Sequence, residues 1–296
     1  IEASKKQIGG SNYQDQYKAL YDIAENYSHY CIDSSLVYFN RAVQVAADAD
    51  DELLRIYAQI RLSTMLTIGG FYMEAAEILN SVPREALLAS HLAPYYNACM
   101  TLYRDAYASS YEPDNFRRDY QDKYEAYRDS LLHVADTMSL YYLRNMERKL
   151  AKEGNYEEAR RYNAIRVANT PDYQSYAYAT CLYDRFMIAY HYEDNLKGED
   201  VDDLLQAAII ELEYCNRDIN SMLIVITLLN EIGEIEDAKK VSDYYYDALQ
   251  KFRSRKRLIE CGEKAMVVNE ENFSLLQKKN RQFKMAILFI SLLAVA

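Results

Sequence analysis

The sequence predicts an all-α fold built from stacked helical pairs, and three observations predict it. Glycine and proline, which most tight turns require, number only 8 and 4 among 296 residues, too few for the closely spaced turns of a sandwich or barrel. Apolar residues recur at helical spacing, while the period-two alternation of strands is almost absent. A short signature of glycine, an acidic residue and alanine also recurs at regular intervals along the chain.

The recurring signature marks the joint between two helices. It reads GFYMEA at 70–75, GNYEEA at 154–159 and GEIEDA at 233–238. The glycine ends one helix in a tight turn, and the alanine lets the next helix pack closely on the first. Halving the distance between successive signatures gives repeat units of about 40 residues, a period typical of helical repeat arrays.

One of these units resembles the tetratricopeptide repeat (TPR) family. Gly154, Tyr156, Ala159 and Pro171 fall on the turn, packing, close-contact and terminal-proline positions of that repeat, and the stretch SSLVYFNRA at 34–42 is similar to its second helix. The resemblance implies a right-handed α-solenoid of about six degenerate TPR-like helical pairs, followed by a long C-terminal helix. The chain departs from the pattern in having no tryptophan and in placing a glutamate, at 147, where a small residue is usual.

The predicted pairs follow one another without long linkers, and their spans are Tyr13–Ala49, Asp51–Asn80, Leu92–Ala135, Thr137–Ala168, Tyr173–Cys215 and Asp218–Gln250. The first pair contains the stretch at 34–42 that is similar to the second helix of a TPR. The second, fourth and sixth pairs contain the glycine joint, whereas the third and fifth pairs lack it. A long helix then starts near Arg253, with Phe273, Leu276 and Phe283 on one face. We therefore divide the chain into a repeat domain (1–252), a juxtamembrane helix (253–284) and the start of a truncated transmembrane helix (285–296).

The last segment, MAILFISLLAVA at 285–296, carries no charge. A helix that spans a bilayer needs about 20 apolar residues, so twelve residues fit either a buried C-terminal helix or the first half of a transmembrane helix. We favour the second interpretation because Lys278, Lys279, Arg281 and Lys284 form a basic collar just before it. The positive-inside rule would place the preceding domain in the cytoplasm, which conflicts with an extracytoplasmic assignment.

Several functional classes are disfavoured by composition. The net charge of −11 argues against nucleic-acid binding, and five cysteines without a CxxC pair indicate neither a disulfide framework nor a zinc site. Glu25 and His29 have the spacing of half a metal site, but no second Glu-x-x-His pair accompanies them, and an ordinary surface contact is the favoured interpretation. The glycine-poor chain offers no nucleophile elbow or phosphate loop. We predict no catalytic residue, no metal and no cofactor, hence a non-enzymatic protein.

Two charge clusters remain. The basic run KFRSRKR at 251–257 fits either a nucleic-acid or lipid-headgroup patch or, the favoured interpretation, the solvated polar face of a helix and the turn after it. The acidic cluster at 199–203 lacks the spacing and glycine of a calcium loop. Its position at the start of a predicted helix favours a capping role.

Tyrosine is the best functional lead, since it supplies 30 of the 38 aromatic residues. In a stack of helical pairs the first helices line the concave surface, which is the usual binding surface. The TPR register places eight candidates for a ligand or partner groove there, namely Tyr57, Tyr96, Tyr103, Tyr141, Arg144, Arg148, Tyr176 and Tyr183. Phenol rings suit peptide or glycan capture, although most of the tyrosines must serve as packing between repeats.

The layout of degenerate repeats, long helix and apolar end also resembles an uncharacterised family of membrane-anchored regulators in Bacteroidetes, whose members place a TPR-like sensor outside the inner membrane. This resemblance implies an extracytoplasmic, non-enzymatic sensor that captures a peptide or protein in its groove, contacts the membrane through its C-terminal segment and does not bind nucleic acid through this part of the chain. The alternative is a soluble cytoplasmic TPR scaffold or peptide-responsive regulator.

Overall fold

The computed structural model describes residues 12–109, 114–193, 196–213 and 220–295. Within these ranges the chain is helical and contains no strand. The α-helices, in chain order, are α1 (Tyr13–Ser28), α2 (Ile32–Asp48), α3 (Glu52–Gly69), α4 (Tyr72–Ser81), α5 (Ala89–Ser109), α6 (Asp114–Val134), α7 (Leu140–Lys152), α8 (Tyr156–Ala168), α9 (Tyr176–Met187), α10 (Gly198–Glu213), α11 (Asn220–Glu231), α12 (Ile235–Phe252) and α13 (Arg255–Val295). A 3-10 turn (Arg84–Ala86) precedes α5, and a π-helical turn (Ile188–Glu193) continues α9.

The helices pack as six successive pairs, α1 with α2 through α11 with α12, followed by the long α13. Neighbouring pairs stack on one another, for example through α3 against α2 and α5. The predicted all-α, TPR-like solenoid of six helical pairs with a long C-terminal helix is therefore confirmed. The division of the chain at 252 and 284 remains a prediction.

The three repeated glycines lie at the predicted joints. Gly70, Gly154 and Gly233 have φ angles of +85°, +80° and +86° and join the two helices of the second, fourth and sixth pairs. This left-handed backbone region is costly for residues with a Cβ atom. At Gly70 an added Cβ would lie 3.4 Å from the backbone nitrogen of Lys256, so this joint also packs against the start of α13.

The two helices that carry most of the inner polar residues start at matching serine caps. Ser139 accepts a hydrogen bond from the backbone N–H of Tyr142 at the start of α7, and Ser175 accepts one from Tyr178 at the start of α9, each at 3.2 Å. Such caps satisfy one of the open N–H groups of the first turn. They fix where each helix begins and hence which side chains face inward.

The first and last pairs of the array share a hydrophobic core. The largest buried cluster contains Ile32, Phe39 and Met65 from α2 and α3 together with Leu249 and Phe252 from α12, and all five are at most 1% exposed. The start of α13 also packs on α3. The two ends of the solenoid are therefore in contact with each other.

The basic run at 251–257 forms much of the contact that joins the two ends. Ser254 Oγ donates a hydrogen bond to the carbonyl oxygen of Ile68 at 2.7 Å, and the Arg255 guanidinium lies 4.5 Å from the centre of the Phe71 ring. We call residues 253–257 and their partners on α2 to α5 the closing contact. The prediction of a solvated polar face fits the exposed Lys251, Arg253 and Arg255. It does not fit Ser254, which is fully buried, or Lys256, whose side chain is only 10% exposed.

Helix α13 continues far beyond the closing contact. Its 41 residues extend for about 60 Å at 1.5 Å per residue. Phe273, Leu276 and Phe283 are all more than half exposed on this extension. In the part of the chain that the structure describes, no helix is both long enough and apolar enough to cross a bilayer.

Candidate functional site

The inner surface contains a cavity of about 670 Å³, which we call the central cavity. Its walls come from α3, α5, α7, α9 and α13, together with the π-helical turn after α9. The first four are the first helices of their pairs, the position that the TPR register assigns to the inner surface. The π-helical turn contributes Ile188, His191 and Tyr192, and such turns are frequent at functional sites.

A buried carboxylate from α9 gathers arginines from two other helices at one wall of the cavity. Asp184 is 4% exposed and accepts hydrogen bonds from Arg144 Nε at 2.7 Å, Arg148 Nη2 at 2.8 Å and Arg166 Nη1 at 3.0 Å. Arg144 and Arg148 are one turn apart on α7, whereas Arg166 comes from α8. The three helices are thus linked by one side chain, which holds both α7 guanidinium groups at the cavity wall.

The same network contains the glutamate that stands where a TPR usually has a small residue. Glu147 is 1% exposed; it accepts from Arg166 Nη1 at 2.5 Å and from Asn163 Nδ2 at 2.9 Å. A buried charge is tolerated only when such partners compensate its lost hydration. The departure from the repeat pattern at 147 is therefore explained by an ion pair inside the fourth helical pair. We call Asp184, Glu147 and the arginines at 144, 148 and 166 the Asp184 cluster.

The two carboxyl groups of the Asp184 cluster have pKa values shifted in opposite directions. Burial opposes the ionisation of Asp184, but the guanidinium groups of Arg144, Arg148 and Arg166 outweigh it and lower the pKa of Asp184 well below its usual range. Burial raises the pKa of Glu147, although the charge of Arg166 acts in the other direction. Asp184 is therefore the permanent anion of the cluster.

Burial also lowers the pKa of Arg144, and repulsion from Arg148 adds to the effect. The two α7 guanidinium groups therefore crowd one another at the cavity wall.

A second group of charges lies at the closing contact. Asp105 of α5 is 5% exposed and pairs with Arg104 Nε at 2.9 Å and with Lys256 Nζ of α13 at 3.0 Å. Burial opposes its ionisation, but these two cations together lower the pKa of Asp105 to about 2. Arg257, the next residue of α13, also lines the cavity and pairs with Glu260 at 2.8 Å.

The central cavity is more basic than the protein as a whole. Of the residues described, five cationic side chains and three carboxylates line it. The cations are Arg104, Arg144, Arg148, Lys256 and Arg257, and the anions are Asp105, Glu147 and Asp184. This cationic surplus stands in contrast to the net charge of −11 on the whole chain.

The structure brings four of the eight predicted groove residues into the central cavity. Arg144, Arg148, Tyr176 and Tyr183 all belong to its wall. Tyr176, in the first turn of α9, also contacts the His29 ring, with 5.7 Å between ring centres. The cavity wall therefore combines aromatic surface with guanidinium groups.

Two other predicted residues lie on the inner side of α3 and α7 but outside this cavity. Tyr57 stacks on Tyr21 of α1, with ring centres 5.5 Å apart, and helps to line a smaller groove of about 510 Å³ between α1 and α3. Tyr141 lies within electrostatic reach of Tyr57 and Arg61.

Glu25, considered as half of a metal site, instead pairs with Arg61 Nε at 2.5 Å. The two side chains of this ion pair are 31% (Glu25) and 32% (Arg61) exposed. Among the described residues, no group of histidine, cysteine and carboxylate side chains is suited to hold a metal ion.

The remaining two predicted residues, Tyr96 and Tyr103, are placed against α6. The ring of Tyr103 stacks in parallel on Tyr127 at 5.6 Å, and Tyr96 lies 6.3 Å from the same ring. Both therefore pack between the two helices of the third pair rather than along the central cavity. The length of α5 and α6, 21 residues each, gives this pair more surface to fill than a standard TPR offers.

The acidic cluster at 199–203 serves the capping role that its position predicts. Asp200, in the first turn of α10, accepts a hydrogen bond from the backbone N–H of Lys197 at 3.0 Å. Asp203 forms an ion pair with Arg185 of α9. These carboxylates therefore hold the start of α10 against the preceding helix.

Sequence reasoning missed the second half of the site, namely Asp184, Arg166, Asp105, Lys256 and Arg257. Two signals pointed towards it. One was the glutamate at 147 in a position that usually holds a small residue, which implies a buried cation nearby. The other was the basic run at 251–257, whose compactness is unusual in an acidic chain. Neither signal identifies its partner, because the partners lie in other helical pairs.

The fold and the cavity together define the class of this protein. It is an all-α TPR-type repeat protein whose inner surface contains a polar cavity lined in part by tyrosine side chains. Residues 1–263 match the family described as the SusR N-terminal TPR domain, and the chain belongs to that family. The match ends within α13, after the closing contact. A comparison with curated proteins finds no match.

Proposed function

We propose that this chain is the sensory module of a SusR-type regulator, that it captures a peptide or protein segment at its central cavity, and that it reports occupancy through α13. The observation that supports the proposal best is the composition of the cavity wall. Lys256 and Arg257 belong to α13 and line the cavity together with residues of α5, α7 and α9. A ligand in the cavity would therefore contact the repeat array and the long helix at once.

The chemistry of the wall suits an extended segment of a polypeptide. Tyr176 and Tyr183 offer aromatic surface with hydroxyl groups, and Arg144 and Arg148 offer N–H donors. A volume of about 670 Å³ lies in the range of pockets for small ligands, so a few residues of a partner can enter while the rest of it remains outside. We propose a non-enzymatic role with no cofactor, because TPR folds typically act as binding scaffolds.

We further propose that the regulator is anchored in the inner membrane through the apolar segment at 285–296, with the repeat domain in the periplasm. The support is the uncharged segment and the basic collar before it. The test is fractionation of the full-length gene product, followed by protease treatment of spheroplasts. Protection of the repeat domain from the protease would contradict the periplasmic assignment, and recovery in the soluble fraction would contradict anchoring.

A size-matched pair of substitutions tests the sensory role. Ala108 is exposed and lines the central cavity from α5, and Ala126 is also exposed, on α6 and outside the cavity wall. In cells that carry the full-length gene, Ala108→Trp would place a bulky ring at the cavity wall, obstruct ligand entry and abolish the transcriptional changes that depend on the intact gene, whereas Ala126→Trp would preserve them. Equal transcript profiles for the two variants would contradict the proposal.

A further inference from the structure

We infer that the central cavity recognises a carboxylate group of its ligand, and that this carboxylate is held between the α7 arginines and the first turn of α13. The inference rests on the proposed function and names the chemical class of ligand that the same cavity takes. The carboxylate can belong to a peptide or to an acidic sugar. These two sources share the recognition chemistry and are separated by experiment below.

The first support is the charge of the wall. Five cations and three carboxylates line the cavity among the described residues, although the chain as a whole is strongly acidic. Glu260, which pairs with Arg257 from outside the wall, offsets one of these cations, and the remaining surplus of positive charge favours an anion. A neutral ligand would leave the surplus in place.

The second support is the exposure of the α7 arginines. Both donate to Asp184, yet their side chains remain 35% (Arg144) and 29% (Arg148) exposed, while Asp184 is buried. Arg148 reaches Asp184 through Nη2 alone, with a single hydrogen bond. The guanidinium groups are therefore oriented by Asp184 on one side and accessible from the cavity on the other. A planar guanidinium held in this way is suited to a carboxylate.

The third support is the position of Tyr183 between the two groups of cations. Tyr183 lines the cavity from α9 and lies within electrostatic reach of Arg148 on α7 and Arg257 on α13. Cations from the repeat array and from the long helix are thus both within electrostatic reach of one side chain, as are the carboxylates of Asp184 and Glu211. A carboxylate bound beside Tyr183 would be attracted by both at once and would tie α13 to α7.

The experiment uses two matched pairs of probes and the full chain. N-acetyl-trialanine is compared with N-acetyl-trialaninamide, and glucuronate with glucose, by isothermal titration calorimetry. We expect the carboxylate member of one pair to bind about tenfold more tightly than its neutral partner, because hydrogen bonds to charged groups contribute more than neutral ones. The pair that shows the preference identifies the source of the carboxylate. Added salt should weaken the binding of the preferred probe and leave the binding of its neutral partner unchanged.

Neighbouring lysines supply the controls for two variants. Arg148→Gln and Arg257→Gln should each reduce the carboxylate preference about tenfold. The controls are Lys149→Gln and Lys264→Gln, which each remove one positive charge and should leave the carboxylate preference unchanged. Lys149 is next to Arg148 on α7 but outside the cavity wall, and Lys264 is exposed on α13. Arg148→Lys keeps the charge and should retain part of the preference. Circular dichroism establishes that each variant is folded.

Three results would overturn the inference. One is equal binding of the acidic and neutral members of both pairs, which would leave the proposed capture in the cavity standing. Another is the absence of binding by all four probes at millimolar concentration; the tryptophan variants at Ala108 and Ala126 would then decide the proposed function independently. The third is loss of the preference in Lys149→Gln or Lys264→Gln to the same degree as in the cavity variants.

Discussion

Lys256, in the first turn of α13, pairs with the buried Asp105 of α5 at 3.0 Å. The two residues are far apart in sequence but belong to the same cavity wall. Through this pair the long C-terminal helix is fixed to the third helical pair of the array. The end of the solenoid is thereby held at the wall of the central cavity.

Removing the charge of Lys256 should weaken the attachment of α13 to α5. Lys256→Met leaves Asp105 with Arg104 as its remaining cation, and the loss of one partner of a buried ion pair typically costs about 3 kcal/mol. We expect a lower free energy of unfolding in urea, by about that amount. Lys264→Met, an exposed site on the same helix, should change it by less than about 0.5 kcal/mol. Equal effects of the two substitutions would contradict the structural role of the pair.

The same pair predicts an acid dependence of stability. The folded-state pKa of Asp105 is lowered to about 2 from an ordinary value of 3.8. A lowered pKa means that the folded state favours the ionised form, so the stabilisation is fully present above pH ~4 and is lost as the pH falls through 2. The shift corresponds to about 2 kcal/mol. Unfolding measured between pH 5 and 2 should show this loss, and Asp105→Asn should flatten that part of the profile. An unchanged slope in the variant would contradict the assignment.

Two glycines should respond to alanine with opposite signs. An added Cβ meets nothing within 4 Å at either Gly154 or Gly262, so steric clash plays no part. Gly154 has φ +80°, and alanine there should cost about 1 kcal/mol of stability. Gly262 lies inside α13, where alanine should add about 0.5–1 kcal/mol. Thermal unfolding of the two variants tests this, and a stabilised Gly154→Ala protein would show that the joint does not need glycine.

The tyrosines should divide into packing residues and cavity residues. Tyr103 stacks on Tyr127 between α5 and α6, so Tyr103→Ala should lower the unfolding free energy by about 2 kcal/mol. Tyr176 lines the cavity, and Tyr176→Ala should weaken binding of the preferred carboxylate probe more than it lowers stability. Calorimetric titration and urea unfolding of both variants give the comparison. A stability loss at Tyr176 as large as at Tyr103, with unchanged binding, would contradict this division.

The periodicity of the sequence was sufficient to predict the helical pairs and their joints. The joints at Gly70, Gly154 and Gly233 could be predicted because a left-handed turn needs a specific residue at a specific place. The TPR register also predicts which helices face inward, and through it Arg144, Arg148, Tyr176 and Tyr183 could be placed at the inner surface.

The closing contact could not be predicted in the same way. A contact such as that of Ser254 with Ile68 depends on how tightly the array curves, a property that accumulates over all the pairs. Local sequence carries no direct signal of it. The assignment of Tyr96 and Tyr103 to the groove has a similar cause. The TPR register predicts which face of α5 these residues occupy, but it does not show that the long α6 packs on that part of α5.

Hydrogen exchange of the full chain tests most directly whether α13 reports occupancy of the cavity. Amide exchange is followed by mass spectrometry with and without the carboxylate probe that binds. If the ligand bridges α7 and α13, exchange should slow in peptides that cover 140–152, 176–187 and also 255–262. Slower exchange in the first two segments alone, with 255–262 unchanged, would contradict the role of α13 as the element that reports binding.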